Sequence, residues 1–162
     1  MTEQIHTQSI KKILASKSEI EKTLKIRITN RTNPLIIEGD PLKELRTIEF
    51  FEAVDLGFSI PKALELKFDD FEFRKIRIKT IAKRKNLSQV RARVIGRHRK
   101  VMDNIEYLTG CDLALHDNEV GIIGPSEAVK VAEEALKNLI AGSKHATIYT
   151  FLERIKKQGI EE

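Results

Sequence analysis

Twelve basic residues and no acid lie between Glu72 and Asp103: Arg74, Lys75, Arg77, Lys79, Lys83, Arg84, Lys85, Arg91, Arg93, Arg97, Arg99 and Lys100. Of the 29 Lys and Arg in the 162-residue chain, these twelve leave seventeen to face 24 acids elsewhere, so the net charge of +5 hides a basic segment inside an acidic remainder. A charge run is often only a solvated face, but a single-sign block of this length repels itself unless a polyanion neutralises it, which points to nucleic acid. The sharpest feature within it is Gly96-Arg97-His98-Arg99-Lys100. Glycine permits a tight turn between two helices, and four donor side chains beside a helix N-terminus suit phosphate. The plainer alternative is a helix-ending glycine followed by solvated bases.

The chain offers little other chemistry. His6, His98, His116 and His145 fall on separate elements without metal-ligand spacing, and no Walker loop, dinucleotide fingerprint or nucleophile elbow is present. The basic half lacks the clustered acids that a metal-dependent nuclease needs. No enzyme activity, metal or cofactor is therefore expected. The one cysteine, Cys111, sits in an apolar run and is expected in the core. No apolar run approaches a membrane span and no export leader is evident, so the expected location is cytoplasmic.

The elements that must position the basic loop follow from periodicity. Residues 3–8 form a weak strand candidate, followed by two helices interrupted around Ala15-Ser16-Lys17-Ser18. Strands at 25–29 and from Leu35 to Ile37 form a hairpin. Asp40 and Pro41 then start a helix carrying Leu45, Ile48, Phe51 and Val54 to a stop near Gly57, and Ser59-Ile60-Pro61 caps another through Leu66. A strand over 71–79 follows, then helices at 88–95 and from Lys100 to Gly110, strands at 111–115 and 119–123, a long helix over 126–140 and a last helix over 147–158. Glycines repeat in register: Gly39 and Gly124 are 85 residues apart, as are Gly57 and Gly142, whereas Ala15, Ile20 and Leu24 match Gly96, Val101 and Ile105 at 81. One unit is used twice, and the first copy is about four residues shorter upstream.

The order strand, helix, helix, strand, strand, helix, with Val94-Ile95-Gly96-Arg97-His98-Arg99 between its paired helices, resembles the type I KH domain and its Gly-x-x-Gly loop. The fold expected is α+β, two tandem type I KH-like units, each followed by an added helix. The first unit, 1–68, lacks loop glycines; the second, 69–162, carries the basic segment and the C-terminal helix. Ile122-Ile123-Gly124 and the tail from Leu139 through Gly142-Ser143-Lys144-His145 to Arg154 look like the archaeal two-KH ribosome-assembly family, relatives of the eukaryotic factor called partner of the Nob nuclease. Asp40-Pro41-Leu42, Gly57-Phe58-Ser59 and Lys62-Ala63 look like its first unit.

The resemblance implies an RNA-binding assembly factor without catalysis. It would bind small-subunit rRNA near its 3′ end within the pre-ribosomal small subunit and partner the Nob-type nuclease that trims it. The residues expected to bind RNA are Arg91, Arg93, Ile95, Gly96, Arg97, His98, Arg99, Lys100, Leu113 and Leu115. Ile95 suits either a base or the core, and the strand with Leu113 and Leu115 can read Watson–Crick edges of single-stranded bases in a KH groove. The chain departs from the pattern at Arg99, which stands where the second glycine is expected. The competing reading is a protein-interaction scaffold with generic RNA affinity, because the first copy has no loop glycines and an acidic helix.

Overall fold

A computed structural model describes residues 2–161 and divides the chain into two compact units between Phe71 and Glu72. In the first unit, β1 (Thr2–Ile5) is followed by α1 (Ile10–Ala15), α2 (Lys17–Leu24), β2 (Arg27–Ile28), β3 (Leu35–Glu38), α3 (Glu44–Asp55) and α4 (Ile60–Ala63). The sheet runs β1-β3-β2, with both pairings antiparallel. Asp40 accepts from the Leu42 N–H at the start of a 3-10 turn, Pro41–Lys43, that leads into α3, so the expected helix begins only at Glu44; Ser59 accepts from the Lys62 N–H at the start of α4. Alternation along β3 buries Leu35 and Ile37, and Ile13, Ile20, Phe50 and Phe51 are likewise buried in this unit. The Phe50 and Phe51 rings meet edge to face, 5.1 Å between centroids.

The second unit comprises β4 (Phe71–Arg77), α5 (Ile78–Ile81), α6 (Leu87–Ile95), α7 (Lys100–Thr109), β5 (Asp112–His116), β6 (Glu119–Pro125), α8 (Ser126–Ala141) and α9 (His145–Glu161). Its sheet runs β4-β6-β5, the order seen in the first unit, and β5 pairs antiparallel with β6 from Asp112↔Ile123 to His116↔Glu119. The buried stripe of α8, Val129, Ala132, Leu136 and Leu139, has helical spacing. Helix α9 lies on α7 and α8 and adds Ile148 and Leu152 to the same core. The whole is the α+β, KH-type architecture expected. Among the described residues no helix is long and apolar enough to cross a membrane.

The repeat has a physical basis. A Cβ on Gly39 would come within 2.9 Å of Ile26 Cγ2, and one on Gly124 within 2.8 Å of Cys111 Sγ. Ile26 and Cys111 are themselves 85 residues apart, so each copy passes its third strand over the same neighbour at the same point. The preceding positions, Lys25 and Gly110, both end a helix in the left-handed region, with φ of 55° and 74°. The 85-residue register therefore already holds at the end of the second helix, and the shortening of the first copy lies between Ala15 and Lys25. There α1 and α2 abut at Ser16 and no loop projects.

Several boundaries differ from expectation. The first strand ends at Ile5, because Thr7 turns inward to accept the Ser9 N–H on its Oγ1. The strand expected over 71–79 ends at Arg77, and Ile78 starts a helical turn. Its own N–H donates to the Asn118 carbonyl at 2.8 Å and its side chain is fully buried. Leu45 is 69 % exposed, since the inward face of α3 is Thr47, Phe50, Phe51 and Val54. The last helix starts at His145, two residues before the expected Thr147.

Candidate nucleic-acid interface

Asn86 caps the start of helix α6, its side chain accepting from the Gln89 N–H at 3.3 Å, and Gly96 ends the helix. Gly96 has φ 77°, and a Cβ there would lie 2.4 Å from Val101 Cγ2 and 2.8 Å from the Val101 nitrogen, so the turn admits only glycine. The chain then passes through two non-glycine residues in the left-handed region, His98 (φ 54°) and Arg99 (φ 62°), before α7 starts at Lys100. Each costs roughly 1–2 kcal/mol of backbone strain. Arg99 thus takes up the conformation that a second loop glycine would adopt freely.

The side chains of this loop split into two groups. Arg97, His98 and Lys100 are exposed, and their side chains make no hydrogen bond or ion pair among the described residues. Arg99 is folded back. Its guanidinium binds Asp103, donates to Glu106 Oε1 at 2.6 Å and reaches the Leu113 carbonyl at 2.9 Å. Hydrogen bonding to Glu106 pushes the Arg99 pKa further up, with Asp103 adding to the effect, so its charge is permanent and internally neutralised.

The remaining predicted residues have separate places. Arg91 donates to Asn118 Oδ1 at 2.7 Å and ties α6 to the β5–β6 turn. Arg93 donates to the Leu139 carbonyl at 2.6 Å and binds the Ser143 carbonyl, capping the end of α8, while His145 Nε2 lies 3.0 Å from the Arg93 carbonyl. Ile95 is half-buried against the core. Leu113 is buried and Leu115 half-buried on β5, the outer strand of the sheet. The structure therefore brings Gly96, Arg97, His98, Arg99 and Lys100 together beside Leu113, and commits Arg91 and Arg93 to holding the fold.

Two further groups adjoin these residues. Asp103 and Glu106 hold Arg99, and Glu106 Oε2 also accepts the Leu113 N–H at 2.9 Å. Their spacing of four and seven residues from Arg99 places all three along one helical face, a signal present in the sequence. At the opposite end of α6, Lys83, Arg84 and Lys85 are exposed, and their side chains are likewise unbonded among the described residues. Helix α6 spans about 14 Å at 1.5 Å per residue, so free cations stand at both its ends. Among the described residues no cluster of His, Cys, Asp and Glu is arranged to hold a metal ion.

Residues 71–157 match the family described as eukaryotic type KH-domain (KH-domain type I), in the form of the second KH domain of PNO1. A KH domain-containing protein of Methanocaldococcus jannaschii is 33 % identical over 149 residues, covering 88 % of this chain and 66 % of that protein. The pre-rRNA-processing protein PNO1 of Saccharomyces cerevisiae is 27 % identical over 150 residues, covering 88 % of this chain and 54 % of that one. Among solved structures, the matched chain of an a/eIF2alpha–aDim2p–rRNA complex from Pyrococcus horikoshii has a TM-score of 0.83 at 27 % identity, covering 98 % of this chain and 95 % of that one. The chain spans from about two fifths to two thirds of the length of its curated relatives. On the match across more than half its length, the chain belongs to the PNO1 family of type I KH-domain proteins.

Proposed function

We propose that this chain is an RNA-binding ribosome-assembly factor that holds single-stranded small-subunit rRNA near its 3′ end and positions it for maturation. The observation that carries the reading is the set of unpaired cations at both ends of α6, one set beside the tight turn that Gly96 makes into α7. Single-stranded RNA laid along α6 would meet Lys83–Lys85 at one end and Arg97, His98 and Lys100 at the other. Support also comes from the pre-rRNA-processing role in the name of the yeast relative and from the rRNA complex that contains the structural neighbour. In this reading the second unit is the RNA-binding domain and the first is a KH-like unit without a loop. The protein acts in the cytoplasm on the pre-ribosomal small subunit, catalyses nothing itself, and serves a Nob-type nuclease that performs the cleavage.

The test is fluorescence anisotropy with a short RNA matching the 3′ end of the small-subunit rRNA beside a scrambled RNA, across a salt series. Preference for the rRNA end, reduced by Arg97→Glu with Lys100→Glu, is the expected result. Equal binding to both RNAs contradicts the sequence-specific part of the proposal. One observation favours a scaffold role for the first unit: Leu42 and Leu45 are 93 % and 69 % exposed beside Asp40 and Glu44. That surface suits a protein partner, and the nuclease is the partner this reading assigns to it.

A further inference from the structure

In an antiparallel pair, alternate residues of the outer strand turn their N–H and C=O away from the neighbouring strand. On β5 the N–H and C=O of Leu113 both bond away from β6, to Glu106 and Arg99, so the outward edge falls at Leu113 and, by alternation, at Leu115. The Leu113 edge is already filled. Its N–H donates to Glu106 Oε2 at 2.9 Å, its carbonyl accepts from Arg99 Nη2 at 2.9 Å, and Arg99 Nη1 closes the ring on Glu106 Oε1 at 2.6 Å. A planar guanidinium paired with a planar carboxylate thus presents to the strand one donor and one acceptor, as the Watson–Crick edge of a base would.

We propose that Arg99 and Glu106 are a built-in occupant of the base-reading edge of β5, and that RNA enters at Leu113 only when Arg99 is drawn away. The inference rests on the RNA-binding reading above. Arg99 lies in the same turn as Arg97 and Lys100, so a phosphate gathered by those two is placed to attract its guanidinium as well. Once Arg99 leaves, Glu106 keeps the Leu113 N–H, and the groups left open are acceptors: the Leu113 carbonyl and the freed carboxylate oxygen. An acceptor edge selects a base that offers amino hydrogens, such as cytosine, over uracil, whose single N–H lies between two carbonyls. The arginine at the second glycine position therefore closes the groove on itself, and the acceptor edge beneath it sets which bases open it.

The test measures affinity for short oligo(C) and oligo(U) at one salt concentration with wild-type protein, Arg99→Lys and Arg99→Gly, each checked for an intact thermal transition. Arg99→Lys keeps the charge and loses the fork. Arg99→Gly removes a charge but suits the φ of 62°. Both variants are expected to bind oligo(C) about tenfold tighter than wild type, the worth of one regained hydrogen bond, and to gain little on oligo(U). Weaker or unchanged binding of oligo(C) by both variants overturns the inference and leaves Arg99 an ordinary phosphate contact. An equal gain on both oligomers overturns it too, because the edge would then select nothing. If wild type and variants all fail to bind either RNA at low salt, the RNA-binding reading falls and takes this inference with it.

Discussion

Arg93 and Arg97 lie four residues apart in one basic run, yet the structure gives them opposite work. Arg93 caps the carbonyls at the end of α8, whereas the Arg97 side chain meets nothing among the described residues. Arg93→Ala is expected to cost about 1–3 kcal/mol of stability by leaving Leu139 and Ser143 carbonyls without their donor, read by denaturant unfolding. Arg97→Ala should leave stability within about 0.5 kcal/mol and flatten the salt dependence of RNA binding by one phosphate contact, about 0.7 in the log–log slope. Cys111 carries a different prediction. Burial pushes its thiol up to about 11, the carboxylate of Asp112 adds to this, and a hydrogen bond from Thr109 only partly opposes it. The unfolded chain releases that proton near the ordinary thiol value of 9 while the native protein holds it, so this stabilisation is complete below pH 9 and is lost as pH rises from 9 to about 11. Native protein at pH 8 should accordingly resist alkylation that the unfolded chain undergoes readily.

At the scale of elements, α3 shows what periodicity conveys and what it misses. Leu45, Ile48, Phe51 and Val54 make a fair helical stripe, but the buried face is rotated to centre on Phe50 and Phe51. Phe50→Ala should cost about 3–5 kcal/mol in thermal or chemical unfolding, and Leu45→Ala well under 1 kcal/mol. The start of α4 was readable because Ser59 caps it within three residues, whereas Asp40 caps only the 3-10 turn Pro41–Lys43 and α3 itself begins at Glu44 without a side-chain cap. The turn at Ile78–Ile81 was not readable, because Ile78 continues the alternation of Phe73 and Ile76 closely enough to pass for strand, and the bond that ends the strand comes from Asn118, forty residues away. The Arg99 fold-back was only half legible: the spacing to Asp103 and Glu106 is in the sequence, while the carbonyl that completes it belongs to Leu113, on another element.

For the whole molecule, the duplicated unit was legible because its constraint is steric and local. Gly39 and Gly124 each clear a specific neighbour, and substitution at either is barred by the same close approach. The core of the second unit is drawn wholly from residues 76–152, so a fragment of residues 70–162 is expected to fold cooperatively on its own and to keep most of the RNA affinity. A fragment that melts without a cooperative transition would contradict this. The duplication is unequal where the proposed RNA contact lies: α6 and α7 project a loop with free cations, while α1 and α2 meet at Ser16.

That inequality is tested most directly by following the backbone amide resonances of the full chain as a short single-stranded RNA is added. The predicted result is a set of shifts concentrated at Gly96, Arg97, His98 and Lys100, extending to Lys83–Lys85 and Leu115, with Ala15–Lys25 unmoved. Shifts centred on the first unit, or spread evenly over every exposed base in the chain, would contradict the assignment of RNA binding to the second unit.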